Sequence, residues 1–504
     1  MLSGHATPQA TAAYAAAHPQ IAYRPLGETG LLVSPAGFGS YRVDIHSHIF
    51  HEALALALRQ GVNLIDTSTN YADGSSEELV GTVMRRLHDE GAVLREAVVV
   101  VTKGGYLQGQ NHQISQQRQA EGRGWPDLVP YGPGLEHCIH PQFLEDQITR
   151  SLRRLQMECV DIYLLHNPEY YLSWAKREGR GLRDAREEYA RRLRLAFGYL
   201  EEEVARGRIR WYGVSSNTFP TPASDPDHTS LAGLWQIAEE IGPDHHFRVV
   251  QLPMNLLEPG AATEPNQPGG ESVLAFARAH GLAVLTNRPL NAIHGERLLR
   301  LADVPVEAAA DPEAVEEAIA RLQRREEKFR SEILPVLPAP ESMAQQLLAL
   351  FTVGRLLAEN WRRFGSYQQW LDVQTQILVP RAQGGIDYLS RQQTLPPEAG
   401  RWLQKYVRAL NEALQAVSHV YQEQGAEQAR AMRERVAALD PAWAEAPTLS
   451  QMALRALRST AGITSVLVGM RHESYVEDVL AELRRPVEVA GRQEAWQALA
   501  AGVV

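Results

Sequence analysis

Three consecutive apolar runs in this chain of 504 residues have chemically reactive side chains at or just beyond their ends: an acid, a phenol, an amine and an imidazole. Asp66 ends the run VNLID, and Tyr71 follows five residues later. Lys103 ends AVVVVTK, and His166 ends VDIYLLH. If these runs are parallel strands of a barrel, their carboxyl ends meet at the same rim. We therefore expect the four side chains to form one site.

The four residue types suit proton transfer to a carbonyl oxygen. A phenol has a pKa near ~10 and is a poor acid at neutral pH, but a neighbouring ammonium stabilises the phenolate and lowers that pKa. Lys103 could supply this charge, with Asp66 as its counter-ion. His166 could donate a hydrogen bond to a substrate oxygen that gains negative charge. Each residue alone could serve capping or core packing, whereas the set indicates catalysis.

Eight short β-rich runs recur along the chain, and helical patterns separate them. Strands that are nearly continuous in Val, Ile and Leu are typical of a parallel sheet buried on both faces. The pattern predicts an α/β fold, a closed (β/α)8 TIM barrel, with a doubly wound open sheet as the alternative. The runs are 36–40, 62–66, 97–103, 160–166, 208–216, 248–252, 282–287 and 464–469.

The connecting segments carry helical stripes. Phe143, Ile148, Leu152 and Leu155, for example, recur at helical spacing beneath a charged face. Residues 104–140 are polar and rich in glycine and show no clear period, so we predict a long loop there.

A large helical insertion is predicted over residues 291–447, between the seventh and eighth strands. Its apolar residues fall into three helical stripes, and four of the nine tryptophans lie within it. The stripes are Val315, Ala318, Ile319 and Leu322; Leu347, Leu350, Phe351, Leu357 and Trp361; and Leu403, Tyr406, Val407, Leu410, Leu414, Val417 and Tyr421. The remaining divisions are a flexible N-terminal extension (1–20), the barrel (21–290 and 448–485) and a C-terminal tail (486–504).

Composition restricts the partners and the compartment. A formal net charge of −10 and a pI near 6.0 argue against a partner that presents a phosphate backbone, so no nucleic acid is expected. The two cysteines, Cys138 and Cys159, favour a reducing compartment. No run approaches ~20 apolar residues, and the N-terminus has no basic region before an apolar core. We therefore expect a cytoplasmic protein without a membrane partner.

Several stretches of the sequence resemble the aldo/keto reductase superfamily. They are YRPLGETGLLVSPAGFGS, GVNLIDTSTNYADGSSEELVG, VVVVTKGG, LRRLQMECVDIYLLHNPE, GRIRWYGVSSNTF, VVQLPMNLLEPGA, GLAVLTNRPLN and ITSVLVGMRHESYVEDV. The resemblance implies a barrel that binds a nicotinamide dinucleotide and transfers hydride to a carbonyl carbon. It also implies a catalytic tetrad, in which Tyr71 is the general acid or base, Lys103 and Asp66 tune its pKa, and His166 orients the carbonyl.

The resemblance further implies which residues hold the nicotinamide half of the cofactor. Ser216, Asn217 and Gln251 match positions near the carboxamide. Many relatives carry an aromatic residue before a Pro-Leu pair, to stack on the nicotinamide ring, whereas this chain has Asn287. The orientation of the ring must therefore be secured differently here.

The adenosine half is expected beyond the eighth strand. Gly469, Met470 and Arg471 precede a predicted helix, whose backbone N–H groups could hold phosphate together with the arginine. Tyr475 replaces a residue that contacts adenine in many relatives and could stack on the base. Arg471 favours NADP(H) over NAD(H) as the cofactor.

The sequence also offers two other functions. His46 and His48 form an H-x-H pair that opens the metal site of some barrel hydrolases. The strand ends that would supply the other ligands read Ser215, Gln251 and Gly469, so no metal site is expected. A slow, nucleotide-sensing partner protein on the same barrel is the other alternative, although a sensor needs no complete tetrad.

The sequence thus predicts an oxidoreductase that interconverts an aldehyde, ketone or sugar hemiacetal with its alcohol or lactone. The enlarged segments after strands three and seven should shape the pocket for a small-molecule substrate, because βα loops set specificity in barrels. The helical insertion could be a lid, a partner surface or the interface of a homo-oligomer.

Overall fold

The computed structural model describes residues 1–294, 297–392 and 394–502. The chain forms two compact units. The first comprises Met1–Ala292 and Arg435–Val504, and the second is Ile293–Glu434.

The first unit is built on a closed barrel of eight parallel strands. They are β1 (Ala36–Gly39), β2 (Leu64–Asp66), β3 (Val99–Gly104), β4 (Val160–His166), β5 (Ile209–Ser215), β6 (Phe247–Pro253), β7 (Ala283–Asn287) and β8 (Ser465–Val468). Each strand pairs with the next in sequence, and β8 pairs with β1. The predicted TIM barrel is therefore confirmed, and the open sheet is excluded.

The α-helices of the described residues follow in chain order. They are α1 (Pro8–Ala17), α2 (His48–Arg59), α3 (Ser75–Asp89), α4 (Gly109–Ala120), α5 (Pro141–Leu155), α6 (Tyr170–Arg177), α7 (Leu182–Ala205), α8 (Leu231–Ile241), α9 (Gly260–Thr263), α10 (Val273–Ala279), α11 (Pro312–Lys328), α12 (Glu341–Leu350), α13 (Val353–Asn360), α14 (Tyr367–Val373), α15 (Val379–Ser390), α16 (Pro397–Ala437), α17 (Pro441–Ala444), α18 (Leu449–Arg458), α19 (Glu473–Leu483) and α20 (Gln493–Ala500). None of them has both the length and the apolar character that crossing a membrane requires.

Aliphatic side chains fill the barrel interior. Leu64, Val101, Leu164, Val249 and Leu285 belong to one buried cluster. β-Branched and leucine side chains pack well between strands that are covered on both faces, which is why these runs were recognisable from sequence.

The N-terminal segment, predicted to be flexible, instead forms α1 and packs on the barrel. The Thr7 side chain accepts the N–H of Ala10, and Pro8 occupies the first turn, where a missing N–H is tolerated. The backbone N–H of Ala6 donates to Asp161 Oδ1 at 2.6 Å. The buried Arg95 holds the other oxygen of Asp161 at 2.9 Å. This segment is therefore anchored to the fourth strand.

Residues 104–140, predicted to be a loop, contain α4 and a small antiparallel sheet. The strands are Tyr106–Leu107, Val129–Gly132 and Leu135–His137, and the last of them lies in the centre. Helix α4 buries the polar residues Asn111 and Ser115 and so gives no apolar stripe. Strands of two to four residues are likewise too short to show alternation.

The second unit has its own hydrophobic core. Trp361, Trp370 and Trp402 are buried with Phe329 and Phe351 among its helices. The indole N–H of Trp370 donates to Ser418, and that of Trp402 donates to the carbonyl of Arg325. A buried indole N–H needs a hydrogen-bond acceptor, and both of these tryptophans have one.

Two π-helical turns, Phe329–Ile333 and Gln374–Leu378, interrupt the helices of this unit. Each precedes a proline, Pro335 or Pro380. A proline ring crowds the carbonyl four residues earlier and donates no hydrogen bond, so widening the turn accommodates it.

The boundaries of the insertion differ from the sequence-based ones. The second unit ends at Glu434 rather than 447. Trp443 packs instead on Trp496 of α20, with ring centroids 4.9 Å apart. The predicted C-terminal tail thus contributes a helix to the first unit. Short strands Asn291–His294 and Arg297–Arg300 pair at the start of the insertion.

Candidate active site

Asp66, Tyr71 and Lys103 form a hydrogen-bonded group at the carboxyl ends of β2 and β3. Lys103 Nζ donates to Asp66 Oδ2 at 2.8 Å, to the carbonyl of Thr67 at 2.9 Å and to Tyr71 Oη at 3.2 Å. The ammonium makes three bonds, which is its full capacity. The structure therefore brings three of the four predicted tetrad residues into direct contact.

Burial and charge act in opposite directions on this group. Burial lowers the pKa of Lys103, but the Asp66 carboxylate and Tyr71 outweigh it and raise that pKa above the ordinary 10.5. Burial raises the pKa of Tyr71 above 10, and the Lys103 ammonium opposes this only in part. The expectation that Lys103 lowers the pKa of Tyr71 below its ordinary value is therefore wrong, because the net shift is upward. Tyr71 remains protonated, and ready to donate, at neutral pH.

His166, the fourth predicted residue, lies beside the phenol as a neutral ring. Its centroid is 6.1 Å from that of Tyr71, in an edge-on arrangement. Its Nδ1 lies 3.1 Å from the hydroxyl oxygen of Ser68. Burial, the Lys103 ammonium and His137 together hold the pKa of His166 well below 6.5. The ring is therefore uncharged at neutral pH.

Three further residues position His166, and sequence reasoning assigned none of them this role. His137 Nε2 lies 2.7 Å from the His166 carbonyl oxygen. The ring of Tyr106 lies against that of His166, with centroids 4.6 Å apart, and the side chain of Asn167 donates to Tyr106 Oη at 2.6 Å. Asn167 has a positive φ of 50°, which suits asparagine better than most residues. The signal available in the sequence was the compact stretch EHCIHP (136–141), which contains His137.

The segment after Tyr71 is strained. Ala72, Asp73 and Gly74 have φ values of 46°, 55° and 92°, and only glycine adopts this region without cost. The Asp73 carboxylate accepts the backbone N–H of Gln110, at 3.1 and 3.2 Å to its two oxygens. Asp73 thereby ties the tyrosine segment to the first turn of α4.

A layer of amides lies across the barrel mouth from this group. Gln251 Nε2 donates to Asp66 Oδ1 at 2.7 Å, and Gln251 Oε1 accepts Ser215 Oγ at 3.2 Å and Asn287 Nδ2 at 3.3 Å. Gln251 is thus also a partner of the tetrad acid, a contact that the sequence did not suggest. The buried Asn287 Oδ1 has no hydrogen-bond partner among the described residues.

The unpaired Asn287 Oδ1 bears on whether the site suits a nicotinamide cofactor. The carboxamide of nicotinamide presents N–H donors, which Asn287 Oδ1 could accept. Ser216 and Asn217 lie just beyond the end of β5, and Asn217 is exposed. The residues present therefore fit the group that the resemblance implies.

The residues expected to hold the adenosine half lie between β8 and α19. Gly469 has open space where a Cβ would stand, Met470 is buried, and Tyr475 is 42% exposed. His472 precedes α19 and makes no side-chain cap, while its carbonyl accepts the N–H of Tyr475. The N–H groups of Glu473 and Ser474, the first two residues of the helix, are therefore available to an anion. Arg471 adjoins these groups.

The histidine pair considered as a metal site lies elsewhere. His48 begins α2 with a largely exposed side chain, 3.8 Å from Glu52. In the parts of the chain that the structure describes, no three His, Cys, Asp or Glu side chains are grouped to hold a metal ion.

An open cleft of about 920 Å³ lies on the outer side of the tyrosine segment. Ala72, Asp73, Gln110, Arg118 and Trp125 contribute to its lining. The four tetrad residues are not among the lining residues, so this cleft is separate from the candidate site.

A family model described as the aldo/keto reductase family matches residues 38–294, just over half of the chain. Among curated relatives, an NADH-specific methylglyoxal reductase of Escherichia coli is 29% identical over 28% of this chain and 40% of its own length. A 6-dehydroglucose reductase of Novosphingobium aromaticivorans is 28% identical over 39% of this chain and 52% of its own length. The chain thus spans about half, or less, of these relatives.

The comparison with solved structures gives low TM-scores. An aldo/keto reductase from Klebsiella pneumoniae, in complex with NADP and acetate, has 18% identity and a TM-score of 0.34, covering 79% of this chain and 94% of its own. A Pseudomonas aeruginosa protein described as an aldo-keto reductase has 24% identity and a TM-score of 0.33, covering 54% and 78%.

Proposed function

Since this chain belongs to the aldo/keto reductase family, we propose that it is a nicotinamide-dependent oxidoreductase that uses Tyr71 to interconvert a carbonyl compound and its alcohol. The observation that carries the proposal is the contact of Lys103 Nζ with both Asp66 and Tyr71. A buried phenol that an ammonium contacts, beside a neutral imidazole, is equipped to protonate an oxygen and to tolerate the resulting phenolate.

The cofactor supplies the hydride. Asn217, Ser216 and Asn287 are proposed to hold its carboxamide, and Gly469, Met470 and Arg471 its adenosine phosphate, with Tyr475 near the base. Gln251 supports this region through its bonds to Asp66 and Asn287. We favour NADP(H) over NAD(H) because Arg471 adjoins the free N–H groups at the start of α19 and could pair with a 2′-phosphate.

The substrate oxygen is proposed to bind between Tyr71 Oη and His166 Nε2. The Ser68 hydroxyl lies 2.7 Å from Asn70 Oδ1 and 3.1 Å from His166 Nδ1, and its single proton can be donated to only one of them. In the proposed arrangement it is donated to Nδ1, so that the neutral His166 ring carries its own proton on Nε2 and can donate it in a hydrogen bond. Tyr71 gives its proton to the oxygen during reduction and takes it back during oxidation. Lys103 stabilises the phenolate in between, while Asp66 compensates the buried ammonium.

The substrate is proposed to be a small aldehyde, ketone or sugar. Aromatic rings from the 104–140 segment and its neighbours stand next to the tetrad: Tyr106 lies on His166, and Tyr170 lies 5.1 Å from Tyr106 and stacks on Tyr131 at 4.1 Å. Tyr41, 61% exposed, lies 5.3 Å from the Tyr71 ring. Such rings would give the pocket an apolar wall.

Nucleotide titration of the wild type and of Tyr71→Phe tests the proposal. We expect NADPH to quench the fluorescence of both proteins at lower concentrations than NADH does. Over a panel of aldehydes and sugars, we expect the kcat of Tyr71→Phe to be at least 10²-fold lower than that of the wild type. Tyr41→Phe, which removes a phenol from the adjacent exposed ring, should retain kcat within a few-fold. Failure of the wild type to bind either nucleotide would overturn the proposal; binding without turnover on any carbonyl would favour the sensor function.

A further inference from the structure

Glu169 is a buried acid that the proposed mechanism does not use. It lies three residues beyond His166, is 3% exposed and precedes α6 without capping it. Instead, Glu169 Oε1 accepts the backbone N–H of Asn217 at 2.8 Å. Glu169 Oε2 has no hydrogen-bond partner among the described residues. Burying a carboxylate in this way costs stability, so its contact with Asn217 calls for an explanation.

The bond fixes the turn that follows β5. Ser216 is held by its N–H to the Gln251 carbonyl at 3.0 Å and by its hydroxyl to Thr218 and Thr229. The Asn217 side chain is exposed, whereas its N–H is held by Glu169. Glu169 therefore fixes the backbone of Asn217, from which the exposed side chain extends, relative to the rest of the turn.

The same short segment also carries the carbonyl-orienting histidine. Asn167, between His166 and Glu169, donates its N–H to the Ser215 carbonyl at 2.7 Å. The β4 end and the β5 turn are thus joined twice, through Asn167 to Ser215 and through Glu169 to Asn217. A shift of either strand end would move His166 and Asn217 together.

We propose that Glu169 is a positioning residue, which fixes Asn217 for the nicotinamide carboxamide and couples the cofactor turn to His166. This inference rests on the proposed function, because it assigns Asn217 to the cofactor. The ionised carboxylate makes the stronger bond to the N–H, since charge-assisted hydrogen bonds are about twice as strong as neutral ones. Cofactor affinity should therefore depend on whether Glu169 is ionised.

The surroundings place this ionisation in an accessible range. Burial raises the pKa of Glu169 from 4.5 to about 7. Its own backbone N–H, the N–H of Asn217 and the Ser216 side chain oppose this rise, and the charge of Asp227 adds to it. The phenols of Tyr106, Tyr170 and Tyr189 also face this carboxyl, and burial raises the pKa of each of them. These phenols remain neutral between pH 6 and 8, so none of them changes charge in the range used for the test.

The test compares Glu169→Gln and Glu169→Ala with the wild type by nucleotide fluorescence titration and steady-state kinetics, with NADPH and NADH. The Gln side chain can still accept the N–H but carries no charge, and we expect about a fivefold rise in the Kd of the tighter nucleotide at pH 8. Ala removes the acceptor, and about a tenfold or larger rise is expected. At saturating cofactor, kcat should change less than the KM for the cofactor, and both variants should keep the wild-type melting temperature within a few degrees.

The pH dependence separates positioning from a merely structural role. From pH 8 to pH 6 the wild-type Kd should rise several-fold relative to that of Glu169→Gln, because only the wild type loses a carboxylate. Glu136→Gln is the matched control: Glu136 is also buried, with one oxygen bonded to Gln116 and Gln119 and the other unpaired. It should behave as the wild type does.

A Glu169→Ala protein that binds the nucleotide within twofold of the wild type, or a Glu169→Gln protein with the wild-type pH dependence, would overturn the inference while leaving the proposed function intact. If Glu169→Ala does not fold, the Glu169→Gln titration decides alone. A wild type that binds no nicotinamide nucleotide at all would remove both proposals.

Discussion

The state of each tetrad side chain follows from how burial competes with a neighbouring charge. Lys103 is fully buried yet has a raised pKa, because Asp66 and Tyr71 both favour its charged form. His166 is buried next to that same ammonium, and both effects hold its pKa well below 6.5. One lysine thus keeps the phenol close to a positive charge and keeps the imidazole neutral.

These directions predict the pH dependence of carbonyl reduction. The active forms are protonated Tyr71, present below its raised pKa, and neutral His166, present above its lowered pKa. We expect kcat at saturating cofactor to show no titration near pH 6.5 and no fall until the pH approaches 10. Stopped-flow or steady-state kcat between pH 5.5 and 10 measures this.

A loss of kcat centred at pH 6.5 would show that His166 titrates at its ordinary value and would contradict this assignment. The neighbouring group provides a check: Ser68→Ala removes the hydroxyl 3.1 Å from His166 Nδ1 and should reduce kcat about tenfold without moving the profile.

The residues of the site differ in how far sequence could reveal them. The tetrad was recognisable because Asp66, Lys103 and His166 lie at the carboxyl ends of strands, which must lie at the barrel rim, and Tyr71 follows the first of these strands. Ser68, His137 and Tyr106 act through contacts with His166 that depend on how two separate segments fold over the rim. Spacing along the chain carries no information about such contacts. The cofactor residues assigned by resemblance remain proposals.

At the scale of elements, strands were predictable and the polar helix was not. The apolar composition of runs such as 97–103 and 160–166 indicates a strand that is buried on both faces. Helix α4 contains a single large apolar residue, Ile114, and is held partly by Asp73 at its first turn. Its helical period could not be read from hydrophobicity, because its stability comes from hydrogen bonds and neighbouring segments.

The strain next to Tyr71 predicts an unusual gain in stability. Ala72 is exposed and has φ 46°, a region that costs a non-glycine residue about 1–2 kcal/mol. Ala72→Gly removes this cost but makes the unfolded chain more flexible, which returns about 0.4–1 kcal/mol. We expect a net stabilisation of up to ~1 kcal/mol, seen as a higher midpoint of thermal unfolding.

Gly91 is the matched control. It has φ 67°, and a Cβ there would meet no atom within 4 Å. Gly91→Ala therefore introduces the backbone cost that Ala72→Gly removes, and the midpoint of its thermal unfolding should fall. If both substitutions lower the midpoint, the strain assigned to Ala72 does not exist.

The whole molecule combines a barrel with a second unit that has its own core of tryptophan and phenylalanine side chains. This organisation predicts that the barrel binds the cofactor without the help of the insertion. Replacing residues 300–434 with a short Gly/Ser linker should leave NADPH affinity within a few-fold and change the substrate range or the oligomeric state.

Fluorescence titration, a carbonyl panel and light scattering measure these three properties. The circular dichroism spectrum and melting of the shortened protein establish that it folds. A folded deletion that no longer binds nucleotide would show that the insertion contributes to the cofactor site. One with unchanged affinity, substrates and assembly would leave the insertion without the roles proposed for it.

The position of β8 in the chain has a consequence for biosynthesis. About 180 residues separate Asn287, the end of β7, from Ser465, where β8 begins. At ~5–20 residues per second, a ribosome needs roughly 10 to 35 seconds to cross that interval. Throughout it, β1 and β7 have emerged as unpaired sheet edges, the kind of surface that recruits other strands. A nascent chain of this protein therefore exposes two open sheet edges to other strands until its final strand closes the barrel.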